Sequence, residues 1–130
     1  MIKKIVFISI LLLVSMGCVV AFELPAGFEH EFSLDYNGDV YTNNYGDKDS
    51  GQIIEVLTHE DFDKIYLNDY ENFSFTRDGD IFNFVYTGND VHSGIGNYYG
   101  DYVVLFWNKD SSLSNDNLKS LIEEFNQLNQ

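Results

Sequence analysis

Asn37-Gly38, Asp78-Gly79 and Gly100-Asp101 each stand between two runs of strand-forming residues, and this constrains the fold of the chain more than any other feature. Dipeptides of this kind accept the positive backbone angles that two-residue hairpin loops need. The first separates Phe28 to Tyr36, where Phe28, Phe32, Leu34 and Tyr36 repeat at period two, from Val40 to Tyr45. The second separates Phe73 to Arg77 from Asp80 to Thr87, and the third separates Ile95 to Tyr99 from Tyr102 to Asn108. Three hairpins predict an antiparallel sheet. Gln52 to Leu57 adds a strand, and the Asn-, Asp- and Gly-rich stretch Asn43 to Gly51 reads as a loop.

Tyr102-Val-Val-Leu-Phe-Trp107 is apolar at both alternating sets of positions, which fits a central strand covered on both faces. Two helical segments are available as covers. Thr58 is a good N-cap, with Asp61 three residues on and Leu57 and Phe62 at hydrophobic-staple positions, so a short helix is expected from about His59 to Asn68. Ser114 repeats the signal with Leu113 and Leu118, and Leu118, Leu121, Ile122, Phe125 and Leu128 form a stripe at helical spacing from Asn115 to Leu128. The expected fold is therefore α+β: an antiparallel sheet of about six or seven strands built from hairpins, with a short middle helix and a C-terminal amphipathic helix packed on it.

The N-terminus carries a different pattern. Met1-Ile2-Lys3-Lys4 is a short basic region, and Ile5 to Val14 is apolar except for Ser9, as in a signal peptide. Val19-Val20-Ala21 suits cleavage ahead of Phe22. Ser15-Met16-Gly17-Cys18 resembles a lipobox with serine in place of the usual leucine, which makes Cys18 a lipidation candidate; the other reading of Cys18 is a small apolar residue in a discarded leader. Ile5 to Phe22 also approaches the ~18-residue minimum for an uncleaved membrane anchor. Each fate divides the chain into a leader, 1–21, and one extracytoplasmic domain, 22–130, secreted or tethered to the cell membrane through the N-terminal segment. Cys18 is the sole cysteine, so that domain relies on its core without an internal disulfide.

The chain carries a formal charge of -14, and loss of Lys3 and Lys4 with the leader makes the remainder more negative still. Such a surface repels nucleic acid and anionic headgroups and favours basic partners. No nucleic-acid role is expected, and contact with membrane is expected only through the N-terminal segment.

The entry Phe22-Glu-Leu-Pro-Ala-Gly-Phe28 and the close, a central strand leading to a helix that ends Leu121-Ile-Glu-Glu-Phe125, resemble small exported proteins of unknown function from methanogenic archaea. The layout is also similar to the PsbP/Mog1-like sandwich. The resemblance implies a fold of two or three layers and assigns no catalytic residue.

Candidate sites are few. Asp35, Asn37 and Asp39 place oxygen ligands at alternate positions, with Asp47 and Asp49 shortly after, so calcium is a candidate ligand and no other cofactor is indicated. Counted from Asp35, however, the sixth and twelfth positions are Val40 and Gly46 instead of the glycine and glutamate of an EF-hand loop, and a hairpin turn explains Asn37-Gly38 better. His30, His59 and His92 share no metal-ligand interval. Asn72-Phe-Ser74 is an N-glycan acceptor pattern. Tyr41, Tyr45, Tyr70, Tyr98 and Tyr99 lie near turns and strand ends, where tyrosines make efficient contact surfaces or half-bury themselves at a sheet margin. The glycines of Gly94-Ile-Gly-Asn-Tyr-Tyr-Gly100 suit a strand on which rings pack over bare backbone. No nucleophile elbow or phosphate loop is present. The expected function is non-catalytic: an exported or cell-surface binding module whose partner is a protein or another envelope component. The alternatives are an extracytoplasmic enzyme using a carboxylate pair distant in sequence, and a calcium-binding module.

Overall fold

The computed structural model describes residues 22–36, 40–88 and 91–129, with the side chains of 32–36 and 40–42 outside that description. Cys18, Asn37 and Asp39 lie outside the described residues, as do the side chains of Asp35 and Tyr41.

Among the described residues, seven strands form one antiparallel sheet: β1 Phe28–Tyr36, β2 Val40–Asp47, β3 Gln52–Thr58, β4 Phe73–Asp78, β5 Ile81–Tyr86, β6 His92–Tyr99 and β7 Tyr102–Asn108. Their order is β1-β2-β3-β7-β6-β5-β4, so two meanders meet where β3 pairs with β7. Gly79 and Gly100 hold positive φ angles of 67° and 59° in the turns, conformations that cost glycine little. The glycines of β6 serve close packing: a Cβ on Gly96 would sit 2.1 Å from the Phe82 ring, and one on Gly94 would sit 2.0 Å from the Phe106 carbonyl oxygen.

Segment α1 carries the chain from central β3 to edge strand β4. It is an α-helical turn, His59–Phe62, that widens into a π-helical stretch, Asp63–Leu67. Thr58 Oγ1 accepts from the Asp61 amide at 3.1 Å, closing the N-terminus, and the π turn puts consecutive residues Ile65 and Tyr66 into the core. Ring packing overrides the regular α period here. Phe62 and Tyr66 from α1 meet Phe73, Phe82, Phe84 and Trp107 from the sheet, with Ile53, Leu57, Val103 and Leu105 beneath.

The opposite face carries α2, Leu118–Leu128, entered through a 3-10 turn, Asn115–Asn117. Leu118, Leu121, Ile122 and Phe125 pack on Tyr45, Ile54, Val56, Ile95, Val104 and Phe106. Asparagines fasten both ends of α2. Asn108 and Asn117 exchange side-chain hydrogen bonds of 3.0 and 3.1 Å, and Asn129 accepts from the Glu23 amide at 2.7 Å while donating to the Glu23 carbonyl at 3.0 Å. Phe22 is buried at the same end, its ring 5.3 Å from Phe125 and 5.5 Å from both Tyr99 and Tyr102.

The structure shows the expected α+β sheet with a short middle helix and a C-terminal helix, and it corrects four local expectations. Asn43 to Asp47 belong to β2, because β1 and β3 supply ladder partners on both sides that outweigh a turn-forming composition. The register shifts between His30 and Phe32, so the period-two run from Phe28 is broken by a bulge at Glu31. β6 begins at His92, ahead of the expected start at Ile95, and His92 is buried there, stacked on Trp107 at 4.2 Å. Leu113 is 45% exposed and does not pair with Leu118 as a staple, since a 3-10 turn intervenes.

Candidate functional site

The two helices cover unequal areas. On the α2 face, β3, β7 and β6 lie under the helix, while Ile81 and Val85 of β5 stay 44% and 47% exposed. Residues directly opposed across antiparallel strands share a face, so Ser74, Thr76 and Asp78 of β4, Ile81, Asn83 and Val85 of β5, and Ser93, Ile95 and Asn97 of β6 form one flank. Between this flank and α2 runs a groove of about 560 Å³, a volume in the range of small-molecule clefts. Ile81, Asn83 and Ile95 form its floor, and Lys119, Ile122, Glu123, Asn126 and Gln127 form its wall.

The i, i+4 spacing of α2 explains the wall. Leu118, Leu121 and Phe125 point into the core, which leaves Lys119, Glu123 and Gln127 on the adjoining exposed stripe with Ile122 and Asn126 at the boundary. Asn126 is fixed by its neighbour: the Tyr99 hydroxyl donates to its Oδ1, and Asn97 Nδ2 donates to that hydroxyl at 3.1 Å. Burial pushes the Tyr99 phenol up to about 12, with the Asn97 hydrogen bond acting in the opposite direction. The Asn126 amide nitrogen remains directed by this chain at the groove's end.

The groove is polarised. Asn97 lies across from Ile81, so the Tyr99–Asn126 contact sets the C-terminal part of α2 beside the Ile81 end. Asp78, the other neighbour of Ile81, stands exposed at that end. Lys119, seven residues before Asn126, stands roughly 10 Å away at the helical rise.

The α1 face holds the other concentration of chemistry. Glu55 is 2% exposed in central β3, and the Tyr66 hydroxyl reaches both of its oxygens at 2.9 Å while Trp107 Nε1 donates to Oε1 at 3.3 Å. Asn44 lies across from Glu55, buried. With both oxygens taken by core side chains, Glu55 ties α1 to the sheet and presents no free face to a substrate.

Among the five tyrosines, Tyr45 is fully buried under α2 and is a core residue; inward alternation from β2 decided its place, and it offers no binding surface. Tyr98 and Tyr99 are half-buried on opposite faces. Arg77 caps the Tyr98 ring at 4.3 Å, and burial raises the Tyr98 phenol, with Arg77 lowering it and Asp63 raising it. Tyr70 is 79% exposed. Asn37 and Asp39 lie outside the described residues, and Asp35 and Tyr41 are described by backbone alone, in β1 and β2; among the described residues, no three His, Cys, Asp or Glu side chains gather as a metal site. His59 donates through Nε2 to the Gly100 carbonyl at 2.9 Å. Asn72 is half-buried, and its Nδ2 donates to Asp69 Oδ1 at 2.9 Å, so the glycan-acceptor atom is engaged in the fold. Among the described residues, no helix is long and apolar enough to cross a membrane.

Sequence reasoning missed the groove. Its signal was the alternation in Ile81-Phe-Asn-Phe-Val85, where Ile81 and Val85 are apolar on the face opposite the phenylalanines. Set against known proteins, the chain matches no family model, no curated protein and no solved structure.

Proposed function

We propose that the chain is a non-catalytic, extracytoplasmic binding module, exported by its N-terminal leader and binding its partner in the α2 groove. The groove carries this reading: an aliphatic floor and wall from Ile81, Ile95 and Ile122, open to solvent and bordered by amides, on a face whose remaining half is sealed. Convergent polar groups around an apolar cleft are the usual form of a ligand site. Burial of Phe22 against Phe125 fits a mature domain that includes Phe22, the residue after the expected cleavage site.

A neutral solvatochromic dye, Nile red, tests the groove. Saturable one-to-one binding with a blue-shifted emission is expected for the product of the full gene, and Ile81→Lys should weaken it at least about tenfold by placing a charge on the floor. Unsaturable binding, or binding indifferent to Ile81→Lys, would reject the groove as the site. Fractionation of the expressing cells, with intact mass and N-terminal sequencing, tests export; a full-length product in the cytosol would reject it.

A further inference from the structure

We infer that the occupant of the groove is an extended peptide segment that places an aliphatic side chain among Ile81, Ile95 and Ile122 and a basic group at the Asp78 end. This inference rests on the groove being the binding site. Three observations select the occupant. First, amides stand beside the three isoleucines of the lining: Asn83 in the floor, with Asn126 and Gln127 in the wall next to the charged Lys119 and Glu123. Peptide groups match them as donors and acceptors, whereas a plain hydrocarbon chain would leave those amides without partners where water is displaced. Second, Asn126 is oriented before any ligand arrives, because its Oδ1 is already taken by Tyr99 and its Nδ2 is left to donate to a carbonyl.

Third, charge complementarity fixes the sign. Asp78 is exposed beside Ile81, Glu123 stands midway along the wall, and Lys119 lies at the other end. The nearest guanidinium does not neutralise Asp78: Arg77 reaches to the opposite face, where its Nε donates to the Gly79 carbonyl at 2.6 Å and its charge lies over Tyr98. The net charge of -14 adds a long-range field that draws cations and repels a second copy of the chain. The roughly 10 Å between the Asn126 and Lys119 levels corresponds to about three residues of extended peptide, which sets the length of the recognised segment.

The test uses three capped tetrapeptides, acetyl-Lys-Val-Ile-Val-amide and its counterparts with Gln or Glu in place of Lys, titrated into the product of the full gene while the methyl resonances of Ile81, Ile95 and Ile122 are followed. Affinity should fall in the order Lys, Gln, Glu, with a spread of about three- to tenfold between the extremes at low salt. The spread should narrow in Asp78→Asn, a surface change that keeps a good turn residue before Gly79, and at high salt. Equal affinities, or preference for the Glu peptide, with Nile red still bound, would overturn the basic-peptide assignment and leave the groove as a site. Failure of every peptide and of the dye to shift those methyls would remove both readings. Methyl shifts that grow with protein concentration alone would give the groove to a second copy and overturn the assignment.

Discussion

The two faces of the sheet enclose similar numbers of apolar residues by different means. On the α1 face, Phe62 and Tyr66 interlock with Phe73, Phe82, Phe84 and Trp107 at ring-centroid separations such as 5.8 Å for Phe62–Phe73 and 5.7 Å for Phe62–Phe82, and the rings extend that cover as far as edge strand β4. On the α2 face, the helix is mainly aliphatic toward the sheet, held by asparagine clasps at its two ends, and it stops short of β4 and β5. Large side chains close a broad face with nine helical residues; a slender aliphatic stripe leaves a flank open. The difference teaches where binding can occur in a domain this small: on the half of a sheet that its helix does not reach.

The sharpest way to break the comparison uses neighbours in sequence. Phe82 and Ile81 are adjacent in β5 and face opposite ways, Phe82 fully buried and Ile81 44% exposed. Phe82→Ala should cost about 3–5 kcal/mol, because a ring touching α1, β4 and β6 leaves a cavity that a packed aromatic layer cannot close. Ile81→Lys should stay within about 0.5 kcal/mol. Urea unfolding of the two variants measures both. Comparable losses would mean that the flank is as closed as the α1 face, and the contrast would fail.

The aromatic face was legible in the sequence and the open flank was not. Alternation in the strands, the Thr58 cap and the turn dipeptides place Phe62 over a sheet without knowledge of the topology. The groove depends on which strands α2 lies across, and that follows from β3 pairing with β7 at a separation of some fifty residues, which no local pattern encodes. Tyr45 failed as a surface residue for the same reason: nearness to a presumed loop said nothing once β3 extended the ladder past it. Glu55 was invisible as a buried group because an acid in a strand is ordinarily solvent-facing; its partners Tyr66 and Trp107 lie 11 and 52 residues away.

A smaller effect separates the faces by pH. Tyr99 on the α2 side has its phenol raised to about 12 by burial, from an unfolded value near 10. A raised folded value means that the stabilisation is complete below pH 10 and is lost as pH climbs from 10 to 12, since the unfolded chain releases the proton first. Because the ring is only partly buried, solvent screening holds the loss from this group to about 1–2 kcal/mol. Urea midpoints between pH 9 and 12 should fall steeply in the parent and less in Tyr99→Phe. Tyr98→Phe supplies the control from the α1 side, where Arg77 offsets part of the rise. Should Tyr98→Phe abolish the alkaline loss while Tyr99→Phe preserves it, the burial ascribed to the α2 side would belong to the other.

The smallest effect concerns the clasps. Asn129 accepts from the Glu23 amide and donates to the carbonyls of Glu23 and Phe125, so one side chain ties the segment ahead of β1 to the last turn of α2. These bonds are partly solvent-exposed, and replacing them with water returns much of their enthalpy, which limits the expected cost of Asn129→Ala to about 1 kcal/mol. Its local signature should be larger than its global one: hydrogen exchange at the Glu23 amide should accelerate strongly, while amides of β5 and β6 keep their protection. Because α2 forms one wall of the groove, Nile red affinity should fall modestly alongside. If Asn129→Ala instead destabilised the domain as much as Phe82→Ala, the α2 side would be held by its polar clasps more than by its aliphatic stripe, and the groove wall would depend on the terminus for its position.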